Sequence, residues 1–253
     1  VLAGLLERRG AVVLRYPLIR IVDAPDPAPI LAWARRLAER GFDDVVLLTG
    51  EGLRRILACV QRHEPALREA FVTGLASTRK LTRGPKPARA LRELGLTAEL
   101  TAVQPTSAGV VQTLRTLALG GHRVGVQLYG DEPNEPLVRF LQEAGATVHT
   151  VAPYRYAPAA SDAAIQELLE RMRVGAVDAI AFTSKAQIQR LFDAAPQDQV
   201  QRALASTRVA AVGPVVAAEL ARHGVHVQAM PADAWFMKPL TAVLVEALRS
   251  GAA

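Results

Sequence analysis

Asp44-Val-Val-Leu-Leu-Thr-Gly50 returns later in the chain, without a gap, as Asp178-Ala-Ile-Ala-Phe-Thr-Ser184. Each copy is a short apolar run that ends in a hydroxyl or glycine turn, the pattern of a buried strand feeding a helix N-terminus. Further on, Leu75-Ala-Ser-Thr-Arg79 is identical to Leu204-Ala-Ser-Thr-Arg208. The register holds through Gly84-Pro85 against Gly213-Pro214, Leu91 against Leu220 and Gly95 against Gly224. A third match sets Leu5-Leu-Glu-Arg-Arg-Gly-Ala-Val-Val13 against Phe140-Leu-Gln-Glu-Ala-Gly-Ala-Thr-Val148, a helix end turning at glycine into a strand. The chain is a duplication.

Outward from these repeats, the pattern predicts a helix over 1–10, a strand over 11–15 and a helix over 30–40. Strands follow at 44–48, before Gly84, near 98–103, at 123–128 and at 146–151, with helices at 51–62, 86–94, 107–118 and 135–144 between them. The same order then recurs, with helices at 161–172, 185–193, 214–223 and from about 237. Its strands fall at 177–182, 207–212 and near 225–229. Strands alternating with helices imply parallel sheets covered on both faces. In the later copy of the third match, the strand Arg123–Leu128 comes before the helix. The matching strand of the earlier copy would lie before Val1 and is expected to be missing from this chain.

Two proline-rich strips, Tyr16–Pro29 and Val151–Pro158, interrupt the alternation. Proline fixes φ and extends the residue before it, so both strips read as stiff connectors. The expected fold is α/β: two flavodoxin-like doubly wound parallel-sheet domains joined by a two-stranded hinge, one inserted in the other. Residues 1–20 and 157–253 form the discontinuous domain, and 21–156 form the insert.

The 253 residues, half of them apolar, suffice for two cores of ordinary size. No apolar run approaches about 18 residues, and the opening segment lacks signal-peptide organisation, so no membrane association is expected. A single cysteine, Cys59, excludes an intramolecular disulfide and suits the cytoplasm. The net charge of +6 and pI near 10.0 favour an anionic partner. The arginines are scattered among acids, however, without the aromatic-interleaved stripe of a single-strand binder, so no nucleic acid is expected through this chain.

Ligands of open parallel sheets bind outside the carboxyl ends of the strands, where helix N-termini present free N–H groups. The turns so placed are Thr49-Gly50, Arg83-Gly84-Pro85-Lys86, Thr106-Ser107 and Tyr129-Gly130 in the insert, with Thr183-Ser184-Lys185 and Gly213-Pro214-Val215 in the other domain. Facing one another across a cleft, they would hold carboxylates or phosphates. Tyr154 and Tyr156, between Pro153 and Pro158, fall near the cleft floor. Each hydroxyl equally suits a helix cap and each glycine a tight turn. No dinucleotide or phosphate loop occurs, no nucleophile elbow is present, and the five histidines lack metal-ligand spacing; no metal or cofactor is expected.

This arrangement resembles the uroporphyrinogen-III synthase family. The resemblance is carried by Ala181-Phe-Thr-Ser184, Ala211-Val-Gly-Pro214, Arg83-Gly-Pro-Lys-Pro-Ala-Arg-Ala-Leu91 and Pro153-Tyr154, and it extends over the chain apart from the first strand. It implies a cofactor-independent lyase, acting as a monomer, that closes the linear tetrapyrrole hydroxymethylbilane to uroporphyrinogen III with ring D inverted. Tyr154 would be the catalytic hydrogen-bond donor, and the turns would hold substrate carboxylates. Three positions depart from the family pattern: Val215-Val216 stands where a threonine is usual, Pro87 also lacks a hydroxyl, and Gly50 replaces a serine. The alternative reading is a weak or inactive homologue that senses a tetrapyrrole or another anion.

Overall fold

The run Asp44–Leu47 forms the middle strand of a five-stranded parallel sheet, and all four of its residues are buried. The protein is a computed structural model that describes residues 1–130 and 132–250. Its elements in order are α1 (Leu2–Glu7), β1 (Ile19–Asp23), α2 (Ala28–Ala38), β2 (Asp44–Leu47), α3 (Gly50–His63), α4 (Leu67–Ser77) and β3 (Arg79–Thr82). Next come α5 (Pro85–Arg92), β4 (Leu100–Thr101), α6 (Ser107–Leu114), β5 (Arg123–Gln127), α7 (Glu135–Glu143), β6 (Thr147–Val151) and β7 (Tyr154–Pro158). The remainder is α8 (Asp162–Arg173), β8 (Ala179–Phe182), α9 (Lys185–Asp193), α10 (Gln197–Ala205), β9 (Arg208–Ala211), α11 (Pro214–Arg222) and α12 (Met237–Ser250). The chain divides into two units, Val1–Arg20 with Ala157–Ala253, and Ile21–Tyr156.

In the unit Ile21–Tyr156 the strand order is β4-β3-β2-β5-β6, parallel throughout. Counted from β5, this is the 2-1-3-4-5 order of flavodoxin-like sheets, with the chain entering at the third strand. Alternation along β2 sends Val45 and Leu47 into a core with Leu53 and Ile56 of α3 and Phe71 of α4. Val46 packs on the other face with Val110 of α6 and Leu137 and Leu141 of α7. Helices α3 and α7 thus leave adjacent strands β2 and β5 toward opposite faces. That divergence is the switch point at which doubly wound sheets open a crevice. Gly125 in β5 gives room to aromatics, since a Cβ there would come within 2.9 Å of the Phe42 and Trp33 rings.

The sheet of the other unit is smaller. Strands β8 and β9 pair in parallel from Ala179↔Arg208 to Phe182↔Ala211, and a single bridge, Ala210↔Ala229, is all that forms of the strand expected at 225–229. Helices α8 to α11 cover one face around Leu169, Leu191, Leu204 and Leu220. The other face carries Leu240 and Leu244 of α12 with Leu2 and Leu6 of α1. The strand expected at 11–15 does not form, and Val12 is 93% exposed. Its repeat counterpart, β6, pairs only with β5, and no described residues supply a counterpart of β5. For the same reason β8 pairs on one edge alone, and its first three residues are half-buried where those of β2 are buried.

Both proline strips contain an extended strand, although the first turns helical at Pro27 and its Ala28 and Pro29 open α2. Their strands β1 and β7 form a two-stranded sheet, flanked by hydrogen bonds from Ala24 N to Pro153 O (3.2 Å) and from Ala159 N to Leu18 O (3.1 Å). Helices α4 and α10, each ending inside a matching Leu-Ala-Ser-Thr-Arg segment, were not expected from the pattern and lengthen both crossovers.

Candidate active site at the carboxyl edge of the inserted sheet

Because strands β2 to β6 are parallel, their exits fall along one edge. Thr49 follows β2, Arg83 follows β3, Thr106 and Ser107 follow β4, Tyr129 follows β5, and Tyr154 lies just beyond β6. At the switch point Thr49 caps α3, its Oγ1 accepting from Gly52 N at 3.0 Å. The fully buried Gln127, last residue of β5, locks this turn. Its Oε1 accepts from Thr49 N at 3.0 Å, its Nε2 donates to Thr49 Oγ1 at 3.2 Å, and the same Nε2 donates to Leu128 O. The Tyr154 hydroxyl lies 3.3 Å from Thr49 Oγ1, and the residue is only 2% exposed. The Tyr156 ring meets that of Tyr154 edge-on, centroids 5.8 Å apart.

Next to this turn, the Arg83 guanidinium lies over the Tyr129 ring, 4.9 Å from its centroid. Burial pushes the guanidinium below its ordinary value, partly offset by Tyr129, Tyr154, Tyr156 and Glu132. The Glu132 carboxylate acts on the guanidinium from beside it. Burial, with Glu132 alongside, raises the Tyr129 phenol to about 12 against a hydrogen bond from Ser107 that lowers it. Burial likewise raises Tyr156, with a further contribution from its hydrogen bond to Tyr154. A desolvated cation ringed by phenols that keep their protons is a receptor for an anion.

The remaining turns sort by packing. A Cβ on Gly50 would lie 2.5 Å from Lys86 O, so the α3 and α5 N-termini touch backbone to backbone and leave no room for a serine there. Gly130 has φ +61, and a Cβ on it would meet the Tyr156 ring at 2.9 Å. Gly84 starts α5 in extended geometry against Pro105. The Lys86 side chain is exposed. Thr106 caps α6, accepting from Gly109 N at 3.0 Å, and Ser107 Oγ accepts from Asn134 Nδ2 at 3.2 Å.

The unit Val1–Arg20 with Ala157–Ala253 has its own carboxyl edge. There Gln187 Oε1 accepts from Thr183 N (2.7 Å), Thr183 Oγ1 (3.2 Å) and Ser184 N (3.1 Å). Lys185 Nζ lies 3.9 Å from Glu219 Oε2, which also receives Arg222. The Trp235 ring covers Gly213, 2.8 Å from where a Cβ would stand, and Val215 is 46% exposed. Ser184 caps α9 in a capping box with Gln187, and Trp235 Nε1 is enclosed here without a hydrogen-bond partner among the described residues.

The family model described as Uroporphyrinogen-III synthase HemD matches residues 1–241. The chain belongs to the uroporphyrinogen-III synthase family. Uroporphyrinogen-III synthases are lyase-type enzymes of tetrapyrrole biosynthesis. A mutant uroporphyrinogen III synthase from the extremely thermophilic bacterium Thermus thermophilus is 29% identical, with 98% of this chain and 94% of that one covered and a TM-score of 0.76. The uroporphyrinogen-III synthetase of Helicobacter pylori 26695, at 12% identity over 94% and 95% of the two chains and a TM-score of 0.57, shares the fold. A Bacillus subtilis (strain 168) protein described as uncharacterized protein YjjA is 28% identical over 229 residues, 88% of this chain and 83% of its own. No helix among the described residues is long and apolar enough to cross a membrane.

Sequence reasoning did not single out Gln127 or Asn134 at the edge of the inserted sheet, or Trp235 in the other unit. For Gln127 a signal existed: an amide closes the strand Arg123-Val-Gly-Val-Gln127 at the position where β2 carries Leu47, its register partner. Asn134 holds a left-handed backbone (φ 50) at the start of α7, a conformation that asparagine tolerates better than most residues. Trp235 lies outside every repeat match, so nothing in the pattern marked it.

Proposed function

We propose that the chain converts hydroxymethylbilane, an open tetrapyrrole with eight carboxylates, into uroporphyrinogen III. The observation that carries this reading is Arg83, a guanidinium desolvated by burial at the carboxyl edge of the inserted sheet and lying over the Tyr129 ring. A polycarboxylate is the complementary ligand for such a cation. Thr49, Gly50, Gly84, Thr106, Ser107 and Gly130 line the same edge of the inserted sheet and add backbone and hydroxyl donors. In the other unit Thr183, Ser184, Lys185, Gly213 and Val215 are assigned a second set of substrate contacts, and the enclosed Trp235 Nε1, whose ring covers Gly213, supports that assignment.

The chemistry is a dehydration with rearrangement. The C–O bond of the ring A hydroxymethyl group breaks as Tyr154 donates a proton to the departing oxygen, releasing water and leaving an azafulvene cation. The substituted carbon of ring D attacks that cation to form a spiro intermediate. The bond between rings C and D then breaks and re-forms at the other side of ring D, and loss of a proton restores aromaticity and returns Tyr154 to its starting state. Without guidance the chain closes to the type I isomer, so the protein's contribution is to hold ring D for attack at its substituted carbon. The test is product analysis: an excess of type III over the uncatalysed control supports the reading. The missing hydroxyls at Gly50, Pro87 and Val215 favour the second reading, a tetrapyrrole-binding homologue without turnover, and that reading predicts type I alone.

A further inference from the structure

The chain has two tryptophans, and the fold treats their indole N–H groups differently. Trp33 Nε1 donates to His149 O at 3.1 Å. Trp235 Nε1 is enclosed and has no acceptor among the described residues. Buried indoles ordinarily find one, because an enclosed donor left unpaired costs free energy. Two other enclosed nitrogens lack a partner, Arg79 Nη2 and Arg190 Nε, but each belongs to a guanidinium that pairs through another nitrogen, with Asp44 and Asp162. The Trp235 side chain has a single polar atom, and that atom is the one left over.

Its position says what it is for. Ala229 bridges Ala210 of β9 in parallel, so the irregular segment Met230–Trp235 leaves at the same carboxyl edge as Ser184 after β8 and Gly213 after β9. The segment lays the indole on Gly213, where a Cβ would stand 2.8 Å from Trp235 Cγ. Beside this seat Met230, Val215 and Phe236 expose apolar surface to solvent. An indole N–H only donates, so its partner must bring an acceptor. We propose that Trp235 is a substrate-binding residue of this unit: the segment Met230–Trp235 lifts from Gly213 as the ligand arrives, and the indole N–H takes one of its carboxylates. The inference rests on the tetrapyrrole reading above. Lifting the ring also uncovers Gly213, one of the contacts assigned there. The segment lies outside every helix and strand, so it moves without breaking a ladder of hydrogen bonds.

The test has two arms. In the first, the chain is titrated with uroporphyrinogen III, kept reduced, while NMR follows its two indole N–H resonances, assigned from a Trp235→Phe variant. The Trp235 resonance is expected to move, and that of Trp33, already bonded to His149, to stay. In the second, Trp235→Phe, which keeps an aromatic ring and deletes the N–H, is expected to raise KM for hydroxymethylbilane about 10-fold with kcat within about twofold, the pattern of a contact held alike in ground and transition states. Saturation with the Trp235 resonance unmoved, or a Trp235→Phe variant with unchanged KM, would overturn the proposal and leave the tetrapyrrole reading standing. A wild-type chain that neither binds uroporphyrinogen III nor forms type III product would overturn both. Where the chain binds without turnover, the titration decides. Should Trp235→Phe fail to fold, Trp33→Phe assigns the resonances and the wild-type titration again decides.

Discussion

Arg83 and Tyr129 are stacked cation over ring, 4.9 Å from guanidinium carbon to centroid. They leave the two strands that flank β2 at one parallel edge, Arg83 after β3 and Tyr129 after β5. The ring attracts the guanidinium without neutralising it, and the guanidinium fork suits a planar carboxylate.

Replacing Arg83 therefore separates binding from stability. Arg83→Met is expected to raise KM by about 10-fold or more, the worth of one charge-assisted hydrogen bond. Urea unfolding is expected to show unchanged or higher stability, because desolvating a cation costs free energy in the folded state. Arg83→Lys should recover little, as an ammonium neither stacks nor forks. A variant with normal KM and lost stability would make Arg83 a structural residue.

Tyr154→Phe is expected to lower kcat by about 10-fold or more through loss of one proton donor. The deleted hydroxyl makes a long contact to Thr49 and a hydrogen bond with Tyr156, so stability should fall by no more than about 2 kcal/mol. Full turnover by the variant would remove the phenol from the chemistry.

The absent serine at position 50 is a packing consequence. Gly50→Ser would drive a Cβ to within 2.5 Å of Lys86 O, a backbone atom that cannot swing away. Thermal or urea unfolding should register a loss of about 1–3 kcal/mol. A Gly50→Ser variant of native stability would show that α3 and α5 can separate at no cost.

Much of this was open to reading in the sequence, and for physical reasons. Asp44–Gly50 and Asp178–Ser184 are strand exits because an apolar run followed by a capping residue has few other solutions, and prolines made both connectors legible. Contacts between elements distant in sequence were not. Lys80 reads as a surface residue, yet it is 2% exposed, and its ammonium donates to the carbonyls of Leu75, Ala76 and Thr78 at the end of α4. Glu99, 3.1 Å away, completes that cap. The Thr49–Gln127 lock is likewise set by β2 pairing with β5 across the switch point, a neighbour relation that local pattern does not specify. Val12 alternates like a strand residue and fails as one because strands need partners.

Alkaline pH should expose the burial of Tyr129. Its folded pKa, about 12, lies above the 10.0 of a free phenol, so the folded state holds this proton more tightly than the unfolded one. The associated stability is whole below pH 10 and is lost as pH rises from there toward 12. Tyr129→Phe should flatten the decline in unfolding free energy over that window, and an unaltered slope would show that the phenol is solvated.

The most direct measurement supplies the protein with freshly generated hydroxymethylbilane and quantifies type I against type III uroporphyrin after oxidation, beside a protein-free control. The account predicts a type III excess that diminishes in Arg83→Met and can be recovered by raising substrate concentration. Type I alone, from protein shown to be folded, would contradict it.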